Sequence, residues 1–314
     1  MNTLQFCSSL LAVAVATFFA IFLAGNDYAY FAGYIVLQYI VVATAWNILA
    51  GYTGYVNFGT AAFMATGTYT TVIISKNASI PLPLMMAAGG VVAGLLGLLT
   101  GYMTMRFKGI FFSIATLALA IVLQTLIINW SYVGGSRGVY VMRPASIPLF
   151  ENYGQYLFVV MLTLAMMSIG IARWIGRSTI GIGLATIRDD EQAAEACGVP
   201  TFRLKLFATG LSGALMGMAG APLPYYIAYV DPSAAFSLTY TVNSIAMPII
   251  GGMLSWPGPV IGAILLGSVQ QLATVTISSS LNLLVVGVLL VVFVSLAPNG
   301  ILGLVKNMRA GRQP

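Results

Sequence analysis

Histidine is absent from this 314-residue chain, cysteine occurs twice, and Asp and Glu together number seven. The missing histidine removes the commonest general base and metal ligand. Cys7 opens an apolar run and Cys197 sits in a distant charged loop, so neither a disulfide nor a metal-ligand spacing is expected. Charge is scarce throughout: 6% of residues are charged, against about 25% in a soluble domain. So few charges cannot cover a water-soluble surface of this size. With 59% hydrophobic residues and a mean hydropathy of +0.95, lipid is the solvent for much of the chain. No G-x-x-x-x-G-K-[ST] phosphate loop is present, which excludes ATP binding by that route. No metal cluster or nucleophile–base pair supports an enzyme. The net charge of +6 is spread through loops, with no basic patch interleaved with aromatics, so it does not point to nucleic acid.

The thirteen basic and seven acidic residues are expected in gaps between the membrane-spanning stretches. A proton- or sodium-coupled carrier usually keeps an acid or histidine inside the bilayer, at a cost of roughly 3 kcal/mol or more. With none expected there, the energy for transport is expected from a partner. An ion-coupled carrier with sodium sites made of backbone carbonyls stays open as the rival class.

What the chain does have is apolar length. Runs occur at about 6–25, 30–50, 55–75, 82–105, 110–130, 155–175, 203–226, 238–254, 258–276 and 280–297. Each is near the ~20 residues that cross a hydrocarbon core. The fold class expected is all-α: one polytopic domain, 1–314, with about ten transmembrane helices. The 34 glycines suit both close helix packing and turns. With the N-terminus in the cytoplasm, Arg106, Lys108, Arg173, Arg177, Arg188, Arg203, Lys205, Lys306, Arg309 and Arg312 are cytoplasmic. Only Lys76, Arg137 and Arg143 are then outside, the bias expected of a protein with both termini inside. The first run lacks a basic leader, so a retained helix is expected rather than a signal peptide. Glycine-broken segments at 55–67 and 238–252 occupy different halves and raise an internal duplication, a pattern that can mark a pathway between repeats.

Two connections exceed turn length. The extracytoplasmic one, 131–154, carries Gly134-Gly135-Ser136-Arg137-Gly138, Pro144 and Pro148. The cytoplasmic one, 176–202, is the only stretch of dense mixed charge. Within it, Asp189 followed by Gln192 forms a capping-box pattern. Asp190 and Glu191 then fall in the first turn, where acids favour the helix dipole. Gly198 suits a left-handed terminator and Pro200 prevents continuation. The product expected is a short helix with small Ala193, Ala194 and Ala196 on its surface. Its two readings are a grip for a motor subunit and a surface helix that binds nothing.

The run Ile187-Arg188-Asp189-Asp190-Glu191-Gln192-Ala193-Ala194-Glu195-Ala196-Cys197-Gly198-Val199 resembles the cytoplasmic loop of ABC-transporter permeases of the branched-chain amino acid (LivM) type. Four other stretches resemble that family in order. They are Gly51 to Phe63 with Gly54, Asn57 and Gly59; Lys108-Gly109 with Ala115-Thr116-Leu117-Ala118; Asn129-Trp130 with Gly134 to Gly138; and Gly251-Gly252 through Trp256-Pro257-Gly258-Pro259 to Gly262-Ala263. The likeness covers about residues 30–305. Asn57 stands where the family usually has serine, Thr60 where it has histidine or glutamine, Met253 where it has leucine and Leu254 where it has glycine.

The resemblance implies the membrane-spanning permease of an ATP-driven importer in a bacterial inner membrane, with no covalent chemistry of its own. It implies a second homologous permease, two ATPase subunits that bind ATP and Mg, and an extracytoplasmic solute-binding protein. The coupling residues implied are Arg188, Asp189, Asp190, Glu191, Ala193, Ala194, Glu195 and Gly198. The solute implied is a branched-chain or other hydrophobic amino acid, with urea, short amides or aromatic acids as the alternative.

Gly51, Gly54 and Gly59 read either as helix-packing contacts or as an unwound stretch lining a route. On the second reading Gly54, Asn57, Gly59, Thr60 and Thr66 are the route candidates, joined by Thr68 and Thr70. Gly251 to Pro259 reads as a tight helix connection with Trp256 at the interface, or as a second ATPase contact. Gln38, Asn47, Gln124, Asn129, Asn243, Gln270, Gln271 and Asn282 are expected in interhelical hydrogen bonds, each worth roughly 0.6–2 kcal/mol.

Overall fold

In hydrocarbon every backbone donor and acceptor has to be paired within its own segment, so each long apolar run becomes a helix. The computed structural model describes residues 3–24, 26–78, 80–104, 109–143, 150, 152–276, 282–296 and 300–304. Arg106, Lys108, Pro144, Pro148, Lys306, Arg309 and Arg312 lie outside them, as does the Cys7 side chain. The helices in chain order are α1 (Thr3–Ala24), α2 (Asp27–Thr53), α3 (Thr60–Asn77), α4 (Leu82–Thr104), α5 (Ile110–Ile128), α6 (Tyr153–Arg177) and α7 (Thr179–Asp189). After them come α8 (Glu191–Ala196), α9 (Thr201–Gly220), α10 (Leu223–Ile227), α11 (Pro232–Ala235), α12 (Leu238–Gly251), α13 (Pro257–Thr276) and α14 (Asn282–Leu296). One antiparallel ribbon, β1 (Val139–Tyr140) with β2 (Tyr229–Val230), pairs Val139 with Val230 and Tyr140 with Tyr229.

Among the described residues, seven helical stretches are long and apolar enough to cross a membrane: Asp27–Thr53, Leu82–Thr104, Ile110–Ile128, Tyr153–Arg177, Thr201–Ile227, Pro232–Gly251 and Pro257–Val275. The chain is an all-α, multi-pass membrane protein. The expected count of about ten adds α1, α3 and α14 to these seven.

α2 is the central element. Asn26 caps it through its side chain, which accepts from the Tyr28 N–H at 3.0 Å, and Gly54 ends it at φ +77. From Ile40 to Thr53 every residue is buried. Around it, α3, α4 and α9 meet backbone to backbone. A Cβ on Gly217 would lie 2.3 Å from the Ala93 Cβ and 2.6 Å from the Gly89 carbonyl oxygen. A Cβ on Gly67 would lie 1.9 Å from the Gly217 carbonyl oxygen. Small residues are what allow that approach where no water drives the helices together.

The polar spacing of the helices follows the expected pattern in part. Gln38 donates to the Ala219 carbonyl at 2.8 Å, tying α2 to α9. Gln270 donates to Asn243 at 2.9 Å and Asn243 to Tyr39 at 3.1 Å, linking α13, α12 and α2. Asn129 instead bonds its own helix at Thr125.

α2 and α6 run in the same direction, start beside start and end beside end, which defines two ends. At one, Asn152 donates to Asp27 at 2.8 Å near the ribbon. At the other, the Tyr52 hydroxyl donates to the Ala172 carbonyl at 3.2 Å, and α7 and α8 pack there.

Several charges lie within helices rather than in gaps, and two of them are buried. Arg173 lies within α6 and Lys205 within α9, and both are buried. Both sit at the α7–α8 end, where partners offset their desolvation. The Arg173 guanidinium lies 3.8 Å from the Phe6 ring centroid and 5.6 Å from that of Trp256, contacts worth roughly 0.5–2 kcal/mol each. Trp256 is therefore part of a packed cation–aromatic cluster, edge-on to Phe6 at 5.2 Å. The 203–226 run also divides: α9 stops at Gly220 and Pro222 starts α10 as a separate element.

Candidate functional site

The dense mixed charge of 176–202 folds into two helices rather than a loop. Ser178 caps α7, its hydroxyl accepting from the Gly181 N–H at 3.3 Å. The chain then turns at Asp190, which is extended (φ −159), and restarts as α8. The cap of α8 is therefore Asp190 and not Asp189, because Asp189 still belongs to α7. The Asp190 carboxylate accepts from the Gln192 and Ala193 N–H groups at 2.9 and 3.1 Å. Only Glu191 remains as an acid in the first turn.

The far end of α8 closes as expected. Gly198 has φ +81. Its N–H reaches the Glu195 carbonyl at 2.9 Å, and the Val199 N–H reaches the Ala194 carbonyl at 3.0 Å. This is the paired Schellman pattern, with Ala194 in the apolar core and Val199 packed against that core. The six-residue helix is thus held by side chain at one end and by backbone at the other.

One face of α8 is turned inward. Ala194 is 4% exposed, so it belongs to the core and not to the surface stripe expected of the three alanines. Glu191 pairs with Lys205 of α9 at 2.6 Å, with side chains 14% and 4% exposed. The Tyr55 hydroxyl donates to the other Glu191 oxygen, and Lys205 also approaches that hydroxyl at 3.3 Å. Removing one partner of such a buried pair costs about 3–5 kcal/mol, because the other charge is left without compensation. Glu195 accepts from the Thr201 hydroxyl. The outward face carries Asp189, Asp190, Gln192, Ala193, Ala196 and the free Cys197. Arg188 pairs with Asp189 at 3.2 Å and donates to the Gly51 carbonyl at 3.4 Å.

That last contact brings the two expected sites together. The segment 54–59 between α2 and α3 is non-helical, so Gly54 and Gly59 do more than pack a continuous helix, whereas Gly51 lies in α2 as a packing glycine. A Cβ on Gly54 would meet the Arg188 stem at 3.3 Å. Asn57 is fully buried, its side-chain oxygen accepting from the Gly59 N–H at 2.7 Å and its carbonyl from the Trp46 indole at 2.8 Å. Thr60 is fully buried, with its hydroxyl 2.9 Å from that of Ser244. Non-helical backbone at membrane depth is tolerated where protein buries it, and around Asn57, Gly59 and Thr60 protein does so. Thr66, Thr68 and Thr70 each return a hydroxyl bond to their own helix, at 2.8, 3.0 and 2.7 Å. Thr66 and Thr70 share the half-exposed stripe of α3, while Thr68 is buried and also reaches the Gly220 carbonyl at 2.9 Å.

Sequence reasoning missed Tyr55, Lys205, Thr116, Thr241 and Ser244. Each lies far along the chain from the residue it holds. Tyr55 and Thr116 fall inside family-like stretches and Lys205 is a cation close to the start of a spanning run, but nothing local names their partners. The second glycine-rich turn was read more closely. α12 runs to Gly251, Gly252 adopts φ +115, and a Cβ on Gly251 would lie 1.8 Å from the Gly258 carbonyl oxygen. Among the described residues no cluster of three metal-ligating side chains occurs.

Known proteins resemble this chain over most of its length. The LivM permease of a high-affinity branched-chain amino acid transport system in Escherichia coli is 25% identical over 322 residues, covering 95% of this chain and 74% of the relative. Its Salmonella typhimurium counterpart is 24% identical over the same shares. A probable branched-chain amino acid transport permease, LivH, of Methanocaldococcus jannaschii is 26% identical over 290 residues, 86% of this chain and 91% of the relative. No solved structure matches. The family described as the permease component of the branched-chain amino acid transport system matches residues 28–294, and with its helices and its two glycine-rich turns in that frame, this chain belongs to that family.

Proposed function

We propose that this protein is the membrane-spanning permease subunit of an ATP-driven importer, and that α8 is where its ATPase docks. The observation that carries the reading is the build of α8. It is capped at both ends, anchored on one face by Glu191 and Ala194, and presents Asp189, Asp190 and Ala193 outward. Family membership over 28–294 supports the permease role. Glu191 and Ala194 anchor the helix, while Arg188, Asp189, Asp190, Ala193, Glu195 and the Gly198 turn form the docking face.

The solute is a branched-chain or other hydrophobic amino acid, delivered by an extracytoplasmic binding protein. A second homologous permease completes the membrane pair, and two ATPase subunits bind ATP and Mg. The spans number ten, with α1, α3 and α14 joining the seven long apolar stretches, and both termini are cytoplasmic in a bacterial inner membrane. The route follows the half-exposed stripe of α3 bearing Thr66 and Thr70, close to the turn formed by Gly54, Asn57, Gly59 and Thr60. Neutral hydroxyls there contact a zwitterion without trapping it.

The test is uptake into vesicles holding the full complex, with leucine, isoleucine, valine, urea and an aromatic acid as solutes. ATP removal is expected to stop uptake, and a protonophore to leave it nearly unchanged. Uptake by this chain alone under an imposed proton or sodium gradient would overturn the reading and restore a secondary carrier.

A further inference from the structure

Segment 54–59 has no helical hydrogen-bond ladder, so side chains from other elements hold its backbone. Trp46 of α2 donates to the Asn57 carbonyl at 2.8 Å. Ser113 of α5 donates to the Val56 carbonyl at 2.8 Å, and Thr116 accepts from the Phe58 N–H at 3.1 Å. Thr241 of α12 donates to the Phe58 carbonyl at 3.3 Å. At its start, Tyr55 reaches into the Glu191–Lys205 pair. One short stretch of chain thus ties α2, α5 and α12 to the base of α8.

The pair itself is an expensive way to hold a surface helix. An apolar contact of the same shape would fix α8 at least as well as a desolvated ion pair does. What the ion pair adds is a directional contact: Glu191 accepts from Lys205 with one oxygen and from Tyr55 with the other.

We propose that Tyr55, Glu191 and Lys205 are positioning residues that transmit displacement of α7–α8 into segment 54–59, and through it into α5 and α12. Arg188 supplies a parallel contact, with its stem against Gly54 and its guanidinium on the Gly51 carbonyl. An α-helix resists local change because its backbone bonds are internal, whereas a segment held by side-chain bonds from three elements moves with whichever element shifts. This inference rests on the reading of α8 as the docking helix.

The experiment uses the complete complex with its ATPase and binding-protein subunits in proteoliposomes. It compares wild type, Tyr55→Phe, the paired neutral variant Glu191→Gln with Lys205→Met, and Lys205→Arg. Three quantities are read: subunit assembly, basal ATP hydrolysis and solute transported per ATP hydrolysed. Tyr55→Phe is expected to keep assembly and basal hydrolysis while transport per ATP falls about tenfold, a typical coupling between sites. The paired variant is expected to match that loss, and Lys205→Arg, which keeps the ion pair, to stay close to wild type. A purely structural role would lower assembly and leave the ratio intact. Wild-type transport per ATP in both Tyr55→Phe and the paired variant would overturn the proposal. If the paired variant does not assemble, Tyr55→Phe alone decides, since it removes one hydroxyl and keeps the ring. If the ATPase does not assemble with the wild-type permease, the docking reading fails first and the link falls with it.

Discussion

Single residues at the α8 end separate two costs that a glycine can carry. At Gly198 the φ of +81 is the constraint, and nothing lies within 4 Å of an added Cβ. Gly198→Ala is therefore expected to cost about 1–2 kcal/mol through the left-handed backbone alone. The complex should still form, and a thermal-shift measurement on the purified protein checks this. Gly198→Arg adds bulk on the docking face, so insertion is expected to stay intact while solute-stimulated ATP hydrolysis is lost; normal hydrolysis and transport would remove α8 from the docking site. Asp190 carries a different load, because its carboxylate satisfies two N–H groups that α8 cannot satisfy itself. Asp190→Ala is expected to cost about 0.5–2 kcal/mol. Hydrogen exchange should quicken across 191–199 and not across α9; Asp189→Ala, one residue earlier, should leave α8 protected.

At the scale of elements, the α3–α4–α9 seam governs whether the bundle forms. A Cβ on Gly217 would collide with both the Ala93 side chain and the Gly89 backbone, and the backbone cannot yield as a flexible side chain can. Gly217→Leu is expected to abolish the folded protein, read as loss of a monodisperse peak on size exclusion in detergent. Gly170→Leu on α6, where an added Cβ meets nothing within 4 Å, is expected to leave that peak unchanged. The same contrast explains why glycine count alone was uninformative. Glycines that pack helices, glycines that end them and glycines with no neighbour are identical in sequence, and only the approach of a second backbone tells them apart.

For the whole molecule, the two ends carry different charge. Among the described residues Arg173, Arg177, Arg188, Arg203 and Lys205 gather at the α7–α8 end, while Lys76, Arg137 and Arg143 lie toward the ribbon. Under the proposed orientation, with both termini cytoplasmic, the positive-inside bias predicts the ribbon end outside. An impermeant thiol reagent is expected to label cysteine at Ser136→Cys in intact cells, and the native exposed Cys197 only after lysis. Labelling of Ser136→Cys only after lysis would invert the topology.

The sequence by itself determined the solvent, the all-α multi-pass class and the approximate place of the seven long apolar stretches. Scarce charge and sustained apolar length allow one outcome in a bilayer, where each segment satisfies its own backbone. It also located the left-handed residue at Gly198 and the tight turn at Gly251–Gly252, since φ preferences are local. Tertiary structure decided the rest. It moved the cap of α8 from Asp189 to Asp190, turned Ala194 and Glu191 inward, and buried Arg173 and Lys205 that the pattern had left in gaps. Each of these depends on a partner far away in the chain: Lys205 for Glu191, Phe6 and Trp256 for Arg173, Ser244 for Thr60. A buried charge or hydroxyl is stable only when a partner meets it, and that meeting is a property of packing rather than of spacing along the chain.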